Sequence, residues 1–151
     1  ISDMVNKITS AIDKLARTKT GALIVICQKT GLKNYIDTGV ILNSSISEEL
    51  LISIFNTKTP LHDGAVIIKG NKIAAAACTL PLSEDKFLHI GTRHRAALGL
   101  SEQSDAIIIV VSEEKGTISV ASKGILNQDI DLKKLKLLLN AIILQGRQKN
   151  K

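Results

Sequence analysis

Aromatic side chains are scarce in this chain, whose 151 residues include two Phe, one Tyr and no Trp. Proteins that bind single-stranded nucleic acid usually stack the bases on aromatic side chains. This scarcity argues against a nucleic-acid-binding module, although the formal net charge of +6 suits an anionic partner.

Cysteine is also rare, and Cys27 and Cys78 lie far apart in apolar runs. Without a Cys-x-x-Cys pair we expect no thiolate zinc site, and two buried free thiols in a reducing cytosol. No apolar run reaches the roughly 18 residues that span a bilayer, and no signal peptide is visible. Because residue 1 is Ile, we expect an excised fragment, in which an anchor removed upstream would not be visible.

Several widespread catalytic motifs are missing from the sequence as well. Neither the phosphate-binding G-x-x-x-x-G-K-[ST] loop nor the dinucleotide-binding G-x-G-x-x-G fingerprint occurs. The protein-kinase motifs and the G-x-S-x-G nucleophile elbow are missing too. The chain is therefore not expected to be a P-loop enzyme, a Rossmann dehydrogenase, a kinase or an α/β-hydrolase.

The composition that is present fits one domain over residues 1–151, because 44% of the residues are hydrophobic and 23% are charged. Apolar residues recur at helical spacing near both termini, which predicts helices over about 3–18 and 131–145. Ser45 and Glu48 match a capping box, which predicts that another helix begins there.

Short apolar runs between these helices predict β-strands. Two of them flank Gly70-Asn71, which predicts a hairpin. The predicted strands cover residues 22–27, 35–42, 65–69, 72–80, 106–111 and 117–122. The pattern as a whole predicts an α/β fold, a single domain with a central mixed β-sheet covered by helices.

The most informative segment is 91–97, which reads Gly-Thr-Arg-His-Arg-Ala-Ala. The alanines favour a helix, so the cluster is expected at a helix N-terminus, where free backbone N–H groups and the dipole favour phosphate. Two arginines oppose that dipole unless an anion is bound, which favours a phosphate site. The predicted phosphate-binding residues are Gly91, Thr92, Arg93, His94 and Arg95.

About thirty residues upstream, His62, Asp63 and Gly64 adjoin. Asp-Gly is a common turn pair, so this triplet alone is ambiguous. A loop carboxylate together with a phosphate site is nevertheless typical of metal-assisted nucleotide chemistry.

In combination, these motifs resemble the diadenylate cyclase (DAC) domain, which makes cyclic di-AMP from two ATP molecules. The resemblance covers about residues 20–125 and is closest to the membrane-anchored bacterial type. It is carried by the following segments: 60–68 with Asp63-Gly64-Ala65, 80–83 (Leu-Pro-Leu-Ser), 91–97, and 112–114 (Ser-Glu-Glu).

The resemblance implies roles for individual residues. Asp63 would activate the ribose 3′-hydroxyl and help hold a divalent metal, with Gly64 and Ala65 lining the ribose and phosphates. Segment 91–95 would bind the triphosphate. The remaining implied contacts are Ser112 on a phosphate, Leu80 on adenine, Thr79 where relatives often carry Tyr, and Glu114 at the metal, with His62 and Glu113 as less certain ligands.

The resemblance also implies Mg²⁺, Mn²⁺ or Co²⁺ as the metal, a face-to-face homodimer, and a location on the cytosolic side of the membrane through an anchor outside this sequence. A regulatory protein partner stays open. Two other functions are kept as alternatives: a non-catalytic sensor of adenine nucleotides, and a basic nucleic-acid-binding domain.

Overall fold

A seven-stranded mixed β-sheet forms the centre of the computed structural model, which describes residues 2–85 and 89–149, with side chains for 3–85 and 89–143. The strands are β1 (Ala22–Ile26), β2 (Val40–Ser45), β3 (Ala65–Lys69), β4 (Lys72–Cys78), β5 (Ile107–Val111), β6 (Ile118–Ser122) and β7 (Ile125–Asn127). Their order across the sheet is β2-β4-β3-β1-β5-β6-β7. Only β1 and β3 pair in parallel; the other pairs are antiparallel.

Five helices accompany the sheet in the described part of the chain. They are α1 (Ser2–Arg17), α2 (Lys33–Ile36), α3 (Glu48–Ile54), α4 (Thr92–Gln103) and α5 (Leu132–Lys149). The expected α/β fold, with a mixed sheet covered by helices, is confirmed.

The helices cover both faces of the sheet, so the molecule has two hydrophobic cores. On one face, α1, α3 and α5 pack against side chains such as Ile24 and Val66. On the other face, α4 packs against side chains such as Leu23 and Ile67. Because successive strand residues point to opposite faces, strands buried on both sides read as continuous apolar runs. This explains why β1 and β5 are recognisable in the sequence.

Two local predictions were wrong, and one short strand was missed. Tyr35 lies in the one-turn helix α2, and the neighbouring strand begins only at Val40. Ser45 ends β2, and the helix predicted to start there is capped by Ser47, whose side chain accepts a hydrogen bond from the Leu50 N–H. Strand β7 was not predicted. Elements of three or four residues are too short to show a period, which is why α2 and β7 escaped detection.

The two cysteines are free, as predicted, but only Cys78 is fully buried, while Cys27 is half-buried. Burial raises the pKa of each thiol to about 11. Both are therefore protonated, unreactive thiols at neutral pH.

Candidate functional site

One end of the sheet gathers most of the predicted site residues. Strands β1 and β3 run in parallel, with Ile24 opposite Val66, so both begin at the same end. Strand β5 is antiparallel to β1, with Ala22 opposite Val111, so β5 ends there. Strand β4 ends there too, because Cys78 pairs with Ala65. We call this the site end of the sheet.

Asp63 and Gly64 immediately precede β3 and therefore lie at the site end. Gly64 has φ +119°, and a Cβ on it would lie 2.7 Å from the carbonyl oxygen of Cys78. Ala77 also has a positive φ, 56°, next to a register shift between β3 and β4. Bulges of this kind re-aim side chains and are frequent beside active sites. The Asp63 side chain itself is exposed to solvent.

The N-terminus of α4 lies at the same end. Gly91 is its N-cap, without a side-chain hydrogen bond to the first turn, and that turn contains no acidic residue. Gly91 and Thr92 are exposed. Within the residues that the structure describes, no side-chain hydrogen bond caps the first amides of α4, which leaves them available to an anion.

Arg93 connects this helix to the start of β1. A Cβ on Gly21 would lie 2.5 Å from the Arg93 Cζ, so the guanidinium rests on the glycine backbone. Its Nη1 lies 3.5 Å from the Glu113 Oε1. Gly21 precedes β1 as Asp63 precedes β3, and adjacent strands are about 4.8 Å apart. The fold therefore brings the cation and the Asp63 segment to neighbouring positions.

His94 is half-buried beside this guanidinium. Burial, and then the positive charge of Arg93, lower the pKa of its imidazole below the ordinary value. His94 is therefore neutral at pH 7 and able to donate one hydrogen bond.

Arg95 points elsewhere. Its Nη2 donates to the Ser83 carbonyl oxygen at 3.0 Å, and the Ser83 N–H donates to the Arg95 carbonyl oxygen at 3.0 Å. Arg95 thus binds the segment that follows β4, a partner that the sequence motif did not predict.

Beyond β5, Ser112 begins a tight turn. Its hydroxyl oxygen accepts the Lys115 N–H at 3.2 Å, which leaves the hydroxyl proton available to a ligand. Glu113 and Glu114 are both exposed, and only the Glu113 carboxylate forms an ion pair with Arg93 among the described residues. Glu113 is therefore placed to neutralise Arg93.

The metal-binding prediction meets a sparse donor set. His62 Nδ1 lies 2.7 Å from the Thr59 carbonyl oxygen. A carbonyl only accepts, so Nδ1 is the donor in this bond, and a metal could bind only through Nε2. Among the described residues, no group of three or more His, Cys, Asp or Glu side chains could hold a metal ion. A metal at Asp63 would therefore complete its coordination with substrate oxygens and water.

The predicted adenine contacts differ in accessibility. Thr79 is exposed, and its N–H donates to Thr38 Oγ1 at 2.8 Å. Leu80 is 6% exposed and belongs to the core beneath α4, and Ala65 is fully buried. Leu80 and Ala65 can therefore shape the floor of a site, whereas Thr79 lies at its surface.

Three residues at or beside the site escaped the sequence reasoning: Gly21, Ser83 and Glu102. Gly21 has no side chain to mark it as functional, and Ser83 belongs to segment 80–83, which was recognised without a role for this serine. Glu102 lies nineteen positions beyond its partner Ser83. No local pattern connects partners so far apart, so the fold was needed to find them.

Comparison with known proteins agrees with this geometry. Residues 9–126 match the family described as "DisA bacterial checkpoint controller nucleotide-binding" (DAC). The chain is 52% identical over 139 residues to cyclic di-AMP synthase CdaA of Bacillus subtilis, covering 91% of this chain and 51% of that protein. It spans about half the length of the curated relatives it matches.

Two solved structures are also similar. A crystal structure of a double mutant of DacA from Staphylococcus aureus superposes with a TM-score of 0.91 at 48% identity, covering 93% of this chain and 95% of that one. A hypothetical membrane spanning protein from Bacillus cereus gives 0.80 at 49%, covering 83% and 63%. In the described part of our chain, no helix is long and apolar enough to cross a bilayer. The family match, the sequence identity and the shared fold together establish that this chain belongs to the DAC family.

Proposed function

We propose that the chain is the catalytic domain of a diadenylate cyclase, which condenses two ATP molecules into cyclic di-AMP and releases two pyrophosphates. The observation that carries this proposal is the adjacency of Asp63, which precedes β3, and Gly21, which precedes the parallel strand β1 and lies beneath the Arg93 guanidinium. The identity of 52% to a cyclic di-AMP synthase supports the same activity.

Asp63 has the chemistry of a general base. A ribose 3′-hydroxyl is a weak nucleophile until a carboxylate accepts its proton. The resulting oxygen attacks the α-phosphorus of the second ATP, and the bond from that phosphorus to pyrophosphate breaks. The Asp63 carboxylate is exposed at the site end, where a nucleotide can reach it.

The N-terminus of α4 is suited to hold the triphosphate. Uncapped amides at Gly91 and Thr92, the Arg93 guanidinium and the neutral imidazole of His94 all donate hydrogen bonds. Donors fixed in place before the reaction stabilise the charge that develops on the leaving pyrophosphate. Ser112 would add a hydroxyl from the end of β5.

The ribose and adenine would lie along β3 and β4. Gly64 and Ala65 would line the ribose, and Leu80 would form the floor beneath the base, with Thr79 beside it. Adenine has no aromatic partner at Thr79, so we expect nucleobase affinity to depend on shape more than on stacking.

A divalent metal, when bound, would supply charge neutralisation at the α-phosphate. Asp63 would be its carboxylate ligand. An imidazole nitrogen such as His62 Nε2 would suit Co²⁺ more than Mg²⁺ or Mn²⁺, which favour oxygen ligands. Glu114 would contribute through water, and Glu113 is better placed to neutralise Arg93.

Two reciprocal bonds must form in the product, so two sites must face each other. A two-fold homodimer supplies that symmetry. We also place the domain at the cytosolic side of the membrane, since a similar structure is described as membrane spanning.

The decisive experiment incubates the protein with ATP and Mn²⁺ and seeks cyclic di-AMP by mass spectrometry. Asp63→Asn is the matched variant, because it keeps the size of the side chain and removes the base. We expect turnover to fall at least about a hundredfold, which is the low end of general-base catalysis, while the Kd for ATP stays within a factor of about three.

Other outcomes would contradict the proposal. ATP binding without product would favour a nucleotide sensor. Binding of DNA with a steep salt dependence, and none of ATP, would favour the nucleic-acid-binding alternative. Undiminished cyclic di-AMP production by Asp63→Asn would refute the role of Asp63.

A further inference from the structure

The segment that follows β4 lies directly on the backbone of helix α4. A Cβ on Gly99, in the middle of that helix, would lie 2.0 Å from the Pro81 carbonyl oxygen and 2.7 Å from the Ser83 nitrogen. Backbone atoms have no flexible end that can move aside, so only a glycine permits this approach. The close packing of segment 81–83 against helix α4 therefore depends on Gly99. We call this contact the crossing.

Ser83 fastens the crossing with both its backbone and its side chain. Its N–H and carbonyl oxygen pair with the Arg95 carbonyl oxygen and guanidinium, each at 3.0 Å. Its hydroxyl donates to Glu102 Oε2 at 3.1 Å and accepts the Asp85 N–H at 3.3 Å. At 2% exposure, Ser83 is one of the few buried polar residues in the part of the chain whose side chains are described.

These bonds join the two halves of the nucleotide site. Thr79 and Leu80 lie four and three residues before Ser83, on the adenine side. Gly91 to His94 lie one to four residues before Arg95, on the triphosphate side. Ser83 thus links the adenine side of the site to the triphosphate side.

We propose that Ser83, held by Glu102, is a positioning residue that fixes the adenine-side segment relative to the triphosphate-binding N-terminus of α4. Arg95 belongs to the same hydrogen-bond network, because its guanidinium donates to the Ser83 carbonyl oxygen. This inference rests on the proposed function and goes beyond it, because it assigns no contact with ATP to Ser83 or Glu102.

The test compares two ligands. ATP must engage both halves of the site, whereas inorganic tripolyphosphate needs only the α4 half. For Ser83→Ala we expect the Kd for ATP to rise about fivefold, the equivalent of one hydrogen bond, and the Kd for tripolyphosphate to stay within about twofold. A merely structural loss would weaken both ligands alike.

Two further variants complete the design. Glu102→Ala should reproduce the selective loss of ATP affinity, and Glu102→Gln should restore it, since an amide oxygen still accepts the Ser83 hydroxyl. Ser101→Ala is the matched control: Ser101 is an equally buried serine on α4 whose hydroxyl bonds Leu98 and Gly124, away from the site end. It should leave both affinities unchanged.

The outcomes separate the two ideas. Equal weakening of both ligands by Ser83→Ala, or wild-type ATP affinity in both Ser83→Ala and Glu102→Ala, overturns the positioning role and leaves the proposed function standing. Wild-type protein that binds tripolyphosphate but not ATP overturns the proposed function, and the positioning role with it. Should Ser83→Ala fail to fold, the Glu102 pair gives the same comparison.

Discussion

At the scale of single residues, the position of the Arg93 guanidinium depends on the absence of a side chain at Gly21. Gly21 has no side chain, so the guanidinium rests on its backbone, with Glu113 at 3.5 Å. The three atoms nearest to a Cβ on Gly21 all belong to the Arg93 guanidinium, which is the flexible end of its side chain. A methyl group there would displace the guanidinium while the fold persists.

We therefore predict that Gly21→Ala raises the Kd for ATP about tenfold, the equivalent of one charge-assisted hydrogen bond. In an Arg93→Ala background, the same substitution should add nothing, because the displaced group is gone. Isothermal titration calorimetry on the four proteins measures the coupling. Gly31→Ala is the control, since nothing lies within 4 Å of a Cβ there.

An additive result, with Gly21→Ala equally harmful in both backgrounds, would show that Gly21 acts through something other than Arg93.

His94 gives a pH prediction. Burial and Arg93 lower its pKa in the folded protein, so below pH 6.5 the unfolded chain binds a proton that the folded chain refuses. The contribution to stability is present above pH 6.5 and is lost as the pH falls through the folded pKa. The slope is at most about 1.4 kcal/mol per pH unit for one proton.

Urea unfolding between pH 7 and pH 5 measures this slope, and His94→Gln should reduce it. Identical slopes in the two proteins would exclude His94 as the titrating group.

At the scale of elements, the N-terminus of helix α3 shows that a capping-box pattern in the sequence can point to the wrong capping residue. Both Ser45 and Ser47 precede the helix, and the Ser-x-x-Glu pattern favoured Ser45. The structure gives the capping hydrogen bond to Ser47, whose hydroxyl oxygen accepts the Leu50 N–H at 3.0 Å. Glu48 instead bonds Ser10 and Lys14 of α1.

Ser47→Ala should therefore lower the free energy of unfolding by about 1 kcal/mol, as loss of an N-cap usually does. Ser45→Ala, at an exposed strand end, should change it by less than about 0.5 kcal/mol. Chemical denaturation measures the free energy of unfolding of both variants. A larger loss in Ser45→Ala than in Ser47→Ala would show that Ser45 is the N-cap, as the sequence predicted.

The same scale shows what the sequence can predict. Continuous apolar runs identified β1 and β5, and the Gly-Asn pair identified the hairpin of β3 and β4, because these signals are local. The seat of Arg93 on Gly21 and the bond between Ser83 and Glu102 join residues far apart in the chain. Such contacts exist only once the sheet order is set, so no local pattern encodes them.

At the scale of the whole molecule, the proposed reaction is more than one chain can complete. Each chain offers one Asp63 and one α4 N-terminus, and the product requires two of each. In the proposed mechanism, binding of ATP would need only one chain, whereas turnover would need two chains in contact.

We therefore predict that turnover per chain falls on dilution while the Kd for ATP stays constant. Initial rates over about a thousandfold range of protein concentration, with the mass of the assembly measured in parallel, test this expectation. A rate per chain that is constant down to concentrations at which only monomer remains would exclude the dimeric mechanism.

The sheet also divides the molecule into two compartments. The larger core, under α1, α3 and α5, lies on the face opposite α4 and contains none of the residues assigned to the nucleotide. Substitutions there can change heat tolerance without disturbing the substrate, and substitutions around α4 can retune the substrate at little cost to the larger core. Selection for higher stability and selection for a different nucleotide can thus act on substitutions in separate parts of one small protein.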